Sequence, residues 1–211
     1  MPILTVAHDK GGTGKSKTCL NLAATLKPDI IVDLDPRNDF TIMNNLRSEK
    51  KRFNVARCNS AKELVAILKQ SDQGKTILVD CGGFDSELTS IAISAGDIVI
   101  TPCNGTITER VGLKSFSKIL TRQSKKAGRD IKGYVLLNRT EPNKKNFSAI
   151  DEFIEAAPNL SRLKTIIPRR NVIPESAESG LSVIEVTGNA ATLKKAKIEF
   201  KALTKELKEL L

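Results

Sequence analysis

Short apolar runs rich in Ile, Val and Leu recur along the chain, and several of them end on a polar residue at a turn. Runs of this length and composition are typical of strands that are buried on both faces of a parallel sheet. They predict strands that begin at residue 3 and span 29–34, 75–80, 97–102, 133–138 and 165–170, with a weaker strand signal at 53–56.

Between these strands, apolar residues recur every three or four positions, which is the period of a helix with one buried face. The predicted helices are 17–27, 61–70, 107–127, 143–157 and 190–211. Two of them have a capping box at their start, formed by Ser60 with Glu63 and by Thr106 with Glu109. The last helix has an apolar stripe along its length, made of Leu193, Ala196, Phe200, Leu203, Leu207 and Leu210.

Strands and helices alternate along the chain without an internal repeat, a linker or a low-complexity segment. We therefore expect an α/β fold with a single doubly wound, mostly parallel sheet and helices on both faces. A length of 211 residues suits one domain of this class, so one domain over 1–211 is expected. In such sheets the ligand binds at the carboxyl edge of the strands.

The stretch 3–16 joins the first strand to the first helix through a glycine-rich turn that ends in Gly-Lys-Ser. Glycines leave closely spaced backbone N–H groups open, and the N-terminus of a helix favours negative charge, so this turn is suited to a phosphate chain. In this interpretation Lys15 pairs with the outer phosphates and Ser16 ligates Mg²⁺. The predicted nucleotide-binding residues of the turn are Lys10, Gly11, Gly12, Thr13, Gly14, Lys15, Ser16 and Lys17.

The run 75–80 ends in Asp80, which is expected at the carboxyl edge of the sheet. A carboxylate at this position can hold Mg²⁺ through a water molecule while Ser16 ligates the ion directly. The residues that follow, Cys81, Gly82 and Gly83, suit a segment that responds to the γ-phosphate.

The glycine-rich turn departs from the usual spacing G-x-x-x-x-G-K-[ST], which would need glycine in place of Asp9. Its sequence, KGGTGKS, instead resembles the deviant Walker A box of the ParA/MinD family of ATPases. In that family the first lysine reaches the nucleotide bound by a partner subunit. The resemblance therefore implies a P-loop NTPase-like fold, Mg²⁺-dependent hydrolysis of ATP, an ATP-sandwich homodimer, and catalytic roles for Lys10 and Lys15.

Two further parts of the chain resemble the same family. The sequence DLDP around Asp33 and Asp35 is similar to the family's switch segment, which implies that Asp35 positions the attacking water and that Asp33 supports Mg²⁺. The strand ends at Asn138 and at Pro168 with Arg169 resemble the positions that lie beside the base, which implies that these three residues contact adenine.

Lysine and arginine number 34 against 24 acidic residues, a net charge of +10, so a polyanion is the expected partner. With one tyrosine and no tryptophan, the chain has few rings on which unpaired bases could stack, which favours phosphate contacts to duplex DNA. Arg170, Lys194, Lys195 and Lys197 are the expected DNA contacts because relatives carry this function late in the chain.

The four cysteines are widely separated and have no C-x-x-C spacing, which predicts neither a disulfide framework nor a zinc site. No apolar run approaches the roughly 18 to 20 residues of a membrane span, and the N-terminus has no signal-peptide pattern. A cytoplasmic protein is expected, associated with the nucleoid when ATP is bound, and no membrane partner is expected.

The chain as a whole resembles small ParA-type partition ATPases that lack an N-terminal helix-turn-helix domain. This implies slow, partner-stimulated hydrolysis of ATP to ADP and phosphate, and partition of plasmids or chromosomes together with a DNA-bound, ParB-like protein. Two alternatives stay open from the sequence. One is a MinD-like positioning ATPase whose terminal amphipathic helix binds lipid. The other is a metabolic, ligase-type relative that uses ATP on a small carboxylic substrate.

Overall fold

Seven strands form one sheet in the computed structural model, which describes residues 1–83 and 86–211. The strands are β1 Ile3–Val6, β2 Ile30–Leu34, β3 Val55–Arg57, β4 Ile77–Cys81, β5 Ile98–Cys103, β6 Gly133–Thr140 and β7 Leu160–Pro168. Their order is β3-β2-β4-β1-β5-β6-β7, and each pair of neighbours is parallel. The predicted α/β fold is confirmed, and the sheet is parallel throughout.

Helices cover both faces of this sheet. They are α1 Lys15–Leu26, α2 Asp39–Asn45, α3 Ala61–Leu68, α4 Glu87–Ala95, α5 Ile107–Ala127, α6 Ser148–Glu155, α7 Val172–Ala177 and α8 Ala191–Glu209, with short 3₁₀ turns at Glu49–Lys51 and Lys69–Gln73. One face is packed by α3, α4, α5 and α6, and the other by α1, α2, α7 and α8. Each face therefore has its own apolar layer, which is the doubly wound arrangement.

The central strand β1 lies between β4 and β5 and is buried along its whole length. Its apolar residues fit this position because helices cover both faces of the sheet. The parallel register places Val6 next to Asp80, and Asp80 next to Asp33 of β2. The carboxyl edge of the sheet thus brings two carboxylates beside the point where the chain leaves β1 for the glycine-rich loop.

The apolar stripe of α8 is packed against the sheet. Leu193, Ala196, Phe200, Leu203 and Leu207 are buried, whereas Leu210 at the end of the stripe is 42% exposed. The stripe therefore packs this terminal helix onto the wound sheet.

The last strand was predicted at 165–170, but β7 already begins at Leu160. Its first half is less apolar because β7 is an edge strand, paired only with β6. The carboxylate of Glu206, on α8, accepts hydrogen bonds from the backbone N–H groups of Lys164 and Thr165 at 2.6 and 2.9 Å. A side chain therefore covers backbone donors that would otherwise form an open sheet edge.

One predicted helix start and one predicted helix cap differ in the structure. The helix predicted from residue 143 begins only at Ser148, because the Asn146 side chain accepts a hydrogen bond from the Ser148 N–H at 2.8 Å and holds the preceding chain in a turn. At the start of α5, Thr106 makes no capping hydrogen bond, and the carboxylate of Glu109 accepts from the N–H of Asn104 instead.

One half of the capping box predicted at the start of α3 is confirmed, and in the other half Glu63 accepts from the residue before the N-cap Ser60. The Ser60 hydroxyl accepts from the Glu63 N–H at 3.3 Å, and the Glu63 carboxylate accepts from the Asn59 N–H at 2.9 Å. Three short helices, α2, α4 and α7, were not predicted.

Candidate functional site

The loop between β1 and α1 presents backbone N–H groups to open space. Gly12 and Gly14 have φ angles of +78° and +94°, in the left-handed region that side chains disfavour. Gly14 is the N-cap and α1 begins at Lys15, so the first N–H groups of the helix have no intrahelical partner. At Gly11 and Gly12 an added Cβ would have no neighbour within 4 Å. An anion can therefore approach the loop closely at the helix N-terminus.

The ends of two strands hold this loop in shape. The Asn138 side-chain amide, on β6, donates to the Thr13 carbonyl at 3.0 Å, and the Arg139 guanidinium donates to the Gly12 carbonyl. Gly83, just after β4, lies so close that an added Cβ would be 2.9 Å from the backbone nitrogen of Gly11. Contacts from the chain after β4 and from the end of β6 thus hold the glycine-rich loop in place.

A cavity of about 900 Å³ opens in front of the loop. Small-molecule sites span roughly 300 to 1,000 Å³, so a nucleotide fits this volume. The predicted nucleotide-site residues that line it are Gly11, Gly12, Gly14, Lys15, Ser16, Lys17, Asp35, Asn138, Pro168 and Arg169. The fold therefore brings the loop, the residue after β2 and the ends of β6 and β7 around one space.

The two lysines of the loop have different surroundings. Lys15 is only 5% exposed, and its Nζ donates to the carbonyl of Lys10 at 3.3 Å. Lys10 is exposed and does not line the cavity, and its Nζ donates to the hydroxyl of Thr108 at 3.3 Å, in the first turn of α5. Lys15 is thus a buried cation at the cavity wall, and Lys10 is an exposed one outside the cavity.

The histidine that follows β1 supports the start of the loop. Its Nδ1 accepts from the N–H of Lys10 at 2.9 Å, and its ring stacks on Phe116 of α5 with 6.0 Å between centroids. Burial, followed by the charges of Lys15 and Lys10, lowers the pKa of His8 to about 4. The ring is therefore neutral near pH 7.

Asp80 is a fully buried carboxylate, and neither of its oxygens makes a hydrogen bond of normal geometry to a described residue. Burial raises its pKa to about 7. The nearby Ser16 hydroxyl, Lys15 ammonium and Cys19 thiol oppose this rise, and Asp33 adds to it. A buried acceptor without a donor is costly, so this side chain is suited to a cation or a bound water.

Both oxygens of the neighbouring carboxylate, Asp33, accept hydrogen bonds from other residues of the chain. One oxygen accepts from the N–H of Asp35 at 3.1 Å, and the other accepts from the N–H and the hydroxyl of Thr41 at 2.9 and 2.6 Å. Asp35 in turn accepts from the N–H of Arg37 at 2.9 Å and reaches the cavity wall. Asp33 therefore shapes the turn that presents Asp35.

The donor set fits Mg²⁺ in this region. The ion is bound by hard oxygens and keeps several of its waters, so the unpaired carboxylate of Asp80 and the hydroxyl of Ser16 suffice as protein groups. The described residues contain no cluster of three or more His, Cys, Asp or Glu side chains that would form a complete protein cage.

Arg139 is a candidate site residue to which the sequence analysis gave no role. It lies at an irregularity in the pairing of β6 with β7, has a φ of +57°, and lines the cavity while its guanidinium contacts the loop. A non-glycine residue in the left-handed region is uncommon and deserves a functional test. The only sequence feature that points to Arg139 is its position directly after Asn138.

The four predicted DNA contacts do not form one exposed group. The guanidinium of Arg170 is bound by the Glu199 carboxylate, its side chain is 13% exposed, and it lines the cavity. Lys197 donates to the Val186 carbonyl at 2.7 Å. Lys194 and Lys195 are exposed on α8.

Residues 4–183 match the model of the CobQ/CobB/MinD/ParA nucleotide binding domain. Among curated proteins, the chain is similar to Protein ParA of Rhizobium radiobacter, with 34% identity over 107 residues. That alignment covers 48% of this chain and 48% of the relative, so the similarity spans about half of each protein.

Solved structures share the fold over nearly the whole chain. An ATP complex of Cyanothece McdA has a TM-score of 0.77 at 15% identity, covering 99% of this chain and 96% of that one. The septum site-determining protein MinD of Pyrococcus horikoshii, complexed with Mg-ADP, has a TM-score of 0.70 at 20% identity, covering 99% and 96%. In the described part of this chain, no helix has the length and apolarity to cross a bilayer.

Proposed function

The chain belongs to the CobQ/CobB/MinD/ParA nucleotide-binding family of ATPases, and we propose that it is a single-domain, ParA-like partition ATPase. In this proposal it hydrolyses ATP to ADP and phosphate slowly, with Mg²⁺, and a partner protein stimulates it. The observation that carries the proposal is the two-lysine loop at the start of α1, with the unpaired carboxylate of Asp80 beneath it.

The geometry suggests a role for each side chain. The open N–H groups of the loop bind the phosphates, and the ammonium of Lys15 leaves the Lys10 carbonyl for the outer phosphates. Mg²⁺, held through Ser16 and Asp80, would neutralise charge that develops on the phosphates. Asp35 orients the attacking water from the cavity wall. Asn138, Pro168 and Arg169 form the base side of the same cavity.

The proposed homodimer rests on Lys10. Its side chain is exposed and held within its own subunit by one hydrogen bond to Thr108, which a stronger contact with a phosphate can replace. Binding of ATP would then join two subunits, each reaching the other's nucleotide. Duplex DNA and a ParB-like protein complete the proposed system, with the protein cytoplasmic and associated with the nucleoid when ATP is bound.

The two alternatives receive less support. A MinD-like lipid contact through the terminal helix would need a free apolar face, and that face of α8 is buried against the sheet. A metabolic, ligase-type role would explain neither the outward-facing Lys10 nor the net charge of +10.

Replacing Lys10 with alanine is expected to separate nucleotide binding from dimerisation. The variant keeps the loop and Lys15, so its dissociation constant for ATP should stay within about threefold of that of the unmodified protein, while the ATP-dependent dimer is lost. Isothermal titration measures binding, and light scattering measures mass. The Thr108→Ala variant removes only the resting contact and should still dimerise. An ATP-dependent dimer of normal stability in Lys10→Ala would exclude this role.

Replacing Asp35 with alanine is expected to slow hydrolysis by roughly 100-fold, within the usual range for a residue that orients or activates water. ATP binding and the dimer should persist because this side chain lies beside the cavity without supporting the loop. The Asp35→Asn variant is the matched control for structure, since its side-chain oxygen still accepts from the Arg37 N–H. Normal single-turnover rates in both variants would assign the role to another residue.

Binding to duplex DNA tests the partition role. Fluorescence anisotropy of a random-sequence duplex should report binding with ATP and much weaker binding with ADP or without nucleotide, because a dimer doubles the number of phosphate contacts on one duplex. Equal binding in all three states would contradict a nucleotide switch. Absence of binding at low salt would contradict DNA as the partner.

A further inference from the structure

The outer face of α5 carries a row of exposed basic side chains. Lys114, Lys118, Lys125 and Lys126 are all exposed. In a helix with 3.6 residues per turn the first three follow one line along the outer face, and Lys126 lies about 100° around the axis from Lys125. These four residues are called the α5 lysine row below. The opposite side of the helix, with Leu113, Phe116 and Leu120, is buried against the sheet.

The α5 lysine row has no acidic partner among the described residues. Among residues 1–83 and 86–211, none of its four ammonium groups lies in an ion pair or in a hydrogen bond. The helix contains six basic residues and one glutamate, and that glutamate, Glu109, is buried. Like charges four residues apart on a helix repel each other, so the row favours a partner of opposite charge.

The helix on the other face is a weaker candidate. The six lysines of α8 are interspersed with three glutamates, and its Lys197 donates to a backbone carbonyl of the chain. Arg170, which follows β7 and was also expected to contact DNA, is bound by Glu199 of α8. With six basic residues and one glutamate, α5 therefore has a larger excess of basic residues than α8.

We propose that the outer face of α5 is a contact surface for duplex DNA, an inference that rests on the partition function proposed above. At a rise of 1.5 Å per residue, the row extends over about 18 Å, a length along which a duplex presents roughly ten phosphate charges. A straight helix with flexible lysines can follow such a backbone without reading sequence. The row offers no rings on which single-stranded bases could stack.

The position of α5 couples this surface to the nucleotide loop. The first turn of the same helix holds Lys10 through the hydroxyl of Thr108, and the ring of His8 stacks on Phe116 in its middle. Dimerisation through Lys10 would place two lysine rows in one molecule. DNA affinity would then rise when ATP is bound, without any change in the row itself.

The test compares two quadruple variants that remove the same charge. The first carries Lys114→Gln, Lys118→Gln, Lys125→Gln and Lys126→Gln, and the control carries Lys50→Gln, Lys51→Gln, Lys62→Gln and Lys69→Gln, all at exposed positions away from α5 and α8. Without DNA, each quadruple variant should hydrolyse ATP at the same rate as the unmodified protein. A double variant, Lys118→Gln with Lys125→Gln, should give an intermediate effect.

With ATP at 0.1 M salt, the α5 quadruple variant should bind a random-sequence duplex at least about tenfold more weakly than the unmodified protein. Its log–log salt dependence should be less steep by about 0.9 for each lost contact. The control should change affinity less than threefold, because loss of general charge acts weakly at this salt concentration.

Three outcomes overturn the inference, and they differ in what they say of the proposed function. If the unmodified protein binds duplex DNA with ATP and the α5 variant binds it equally well with the same salt dependence, the surface is wrong and the function stands. If the unmodified protein does not bind duplex DNA, the partition function fails as well. If it sediments with phosphatidylserine vesicles, binds no duplex, and the α5 variant loses that sedimentation, the partner is a lipid surface.

Discussion

Replacing Lys15 with alanine is expected to raise the dissociation constant for ATP by at least about 100-fold, which corresponds to nearly 3 kcal/mol of binding free energy. Lys15 is the buried cation of the loop, and its ammonium is held at the loop by a single hydrogen bond to a carbonyl. A fixed positive group at a helix N-terminus is the strongest partner that the site offers to the outer phosphates. Isothermal titration with a non-hydrolysable ATP analogue measures the change.

The control is the Lys62→Ala variant, which removes the same charge from an exposed helical position on α3. It should bind the analogue as the unmodified protein does. A folded Lys15→Ala variant, judged by its thermal unfolding, that still binds the analogue with unchanged affinity would exclude the loop as the phosphate site.

The strands and the loop could be predicted because their signals are local. A buried parallel strand needs apolar residues at both faces, and a phosphate loop needs glycines, so both leave contiguous marks in the sequence. The short helices have weaker sequence signals. The helix α4 has the sequence ELTSIAISA, in which β-branched and hydroxyl residues also suit strands or turns, and its start depends on Ser86 accepting from the Thr89 N–H at 3.1 Å.

The parts of the site that escaped prediction depend on residues far apart in the chain. The brace formed by Arg139 on the Gly12 carbonyl needs a left-handed residue at an irregular strand end, and nothing in the local sequence marks that conformation. The close approach of Gly83 to Gly11 likewise exists only once β4 lies beside β1. Such contacts are properties of the folded sheet.

Asp33 and Asp80 illustrate the same limit. Both end apolar runs, and the sequence gives each a metal role, yet the structure gives them opposite surroundings. Asp33 receives hydrogen bonds from Asp35 and Thr41, and Asp80 receives none of normal geometry from residues 1–83 and 86–211. Two neighbouring carboxylates can take different roles when their environments differ in this way. The structure therefore favours Asp80 over Asp33 as the carboxylate that is free for a cation.

Replacing Asp80 with asparagine is expected to abolish the stimulation of ATP hydrolysis by Mg²⁺ while stabilising the protein without ligands. Burial raises the pKa of Asp80 from 3.8 to about 7, so the folded state binds a proton that the unfolded state has already lost between these values. The stability of the unmodified protein should therefore fall as pH rises from about 4 to about 7, and the asparagine variant should lack this loss.

The difference in unfolding free energy between the two proteins should be small near pH 4 and reach on the order of 4 kcal/mol at pH 8. Asp33→Asn is the matched control and should be destabilising at both pH values, because an amide nitrogen would face the donors of Asp35 or Thr41. Urea unfolding at pH 4 and pH 8, with and without Mg²⁺, measures all three proteins. An Asp80→Asn variant that is less stable than the unmodified protein at pH 8 without Mg²⁺ would show that the carboxylate has partners in the folded state, and would remove the main argument for a cation at this position.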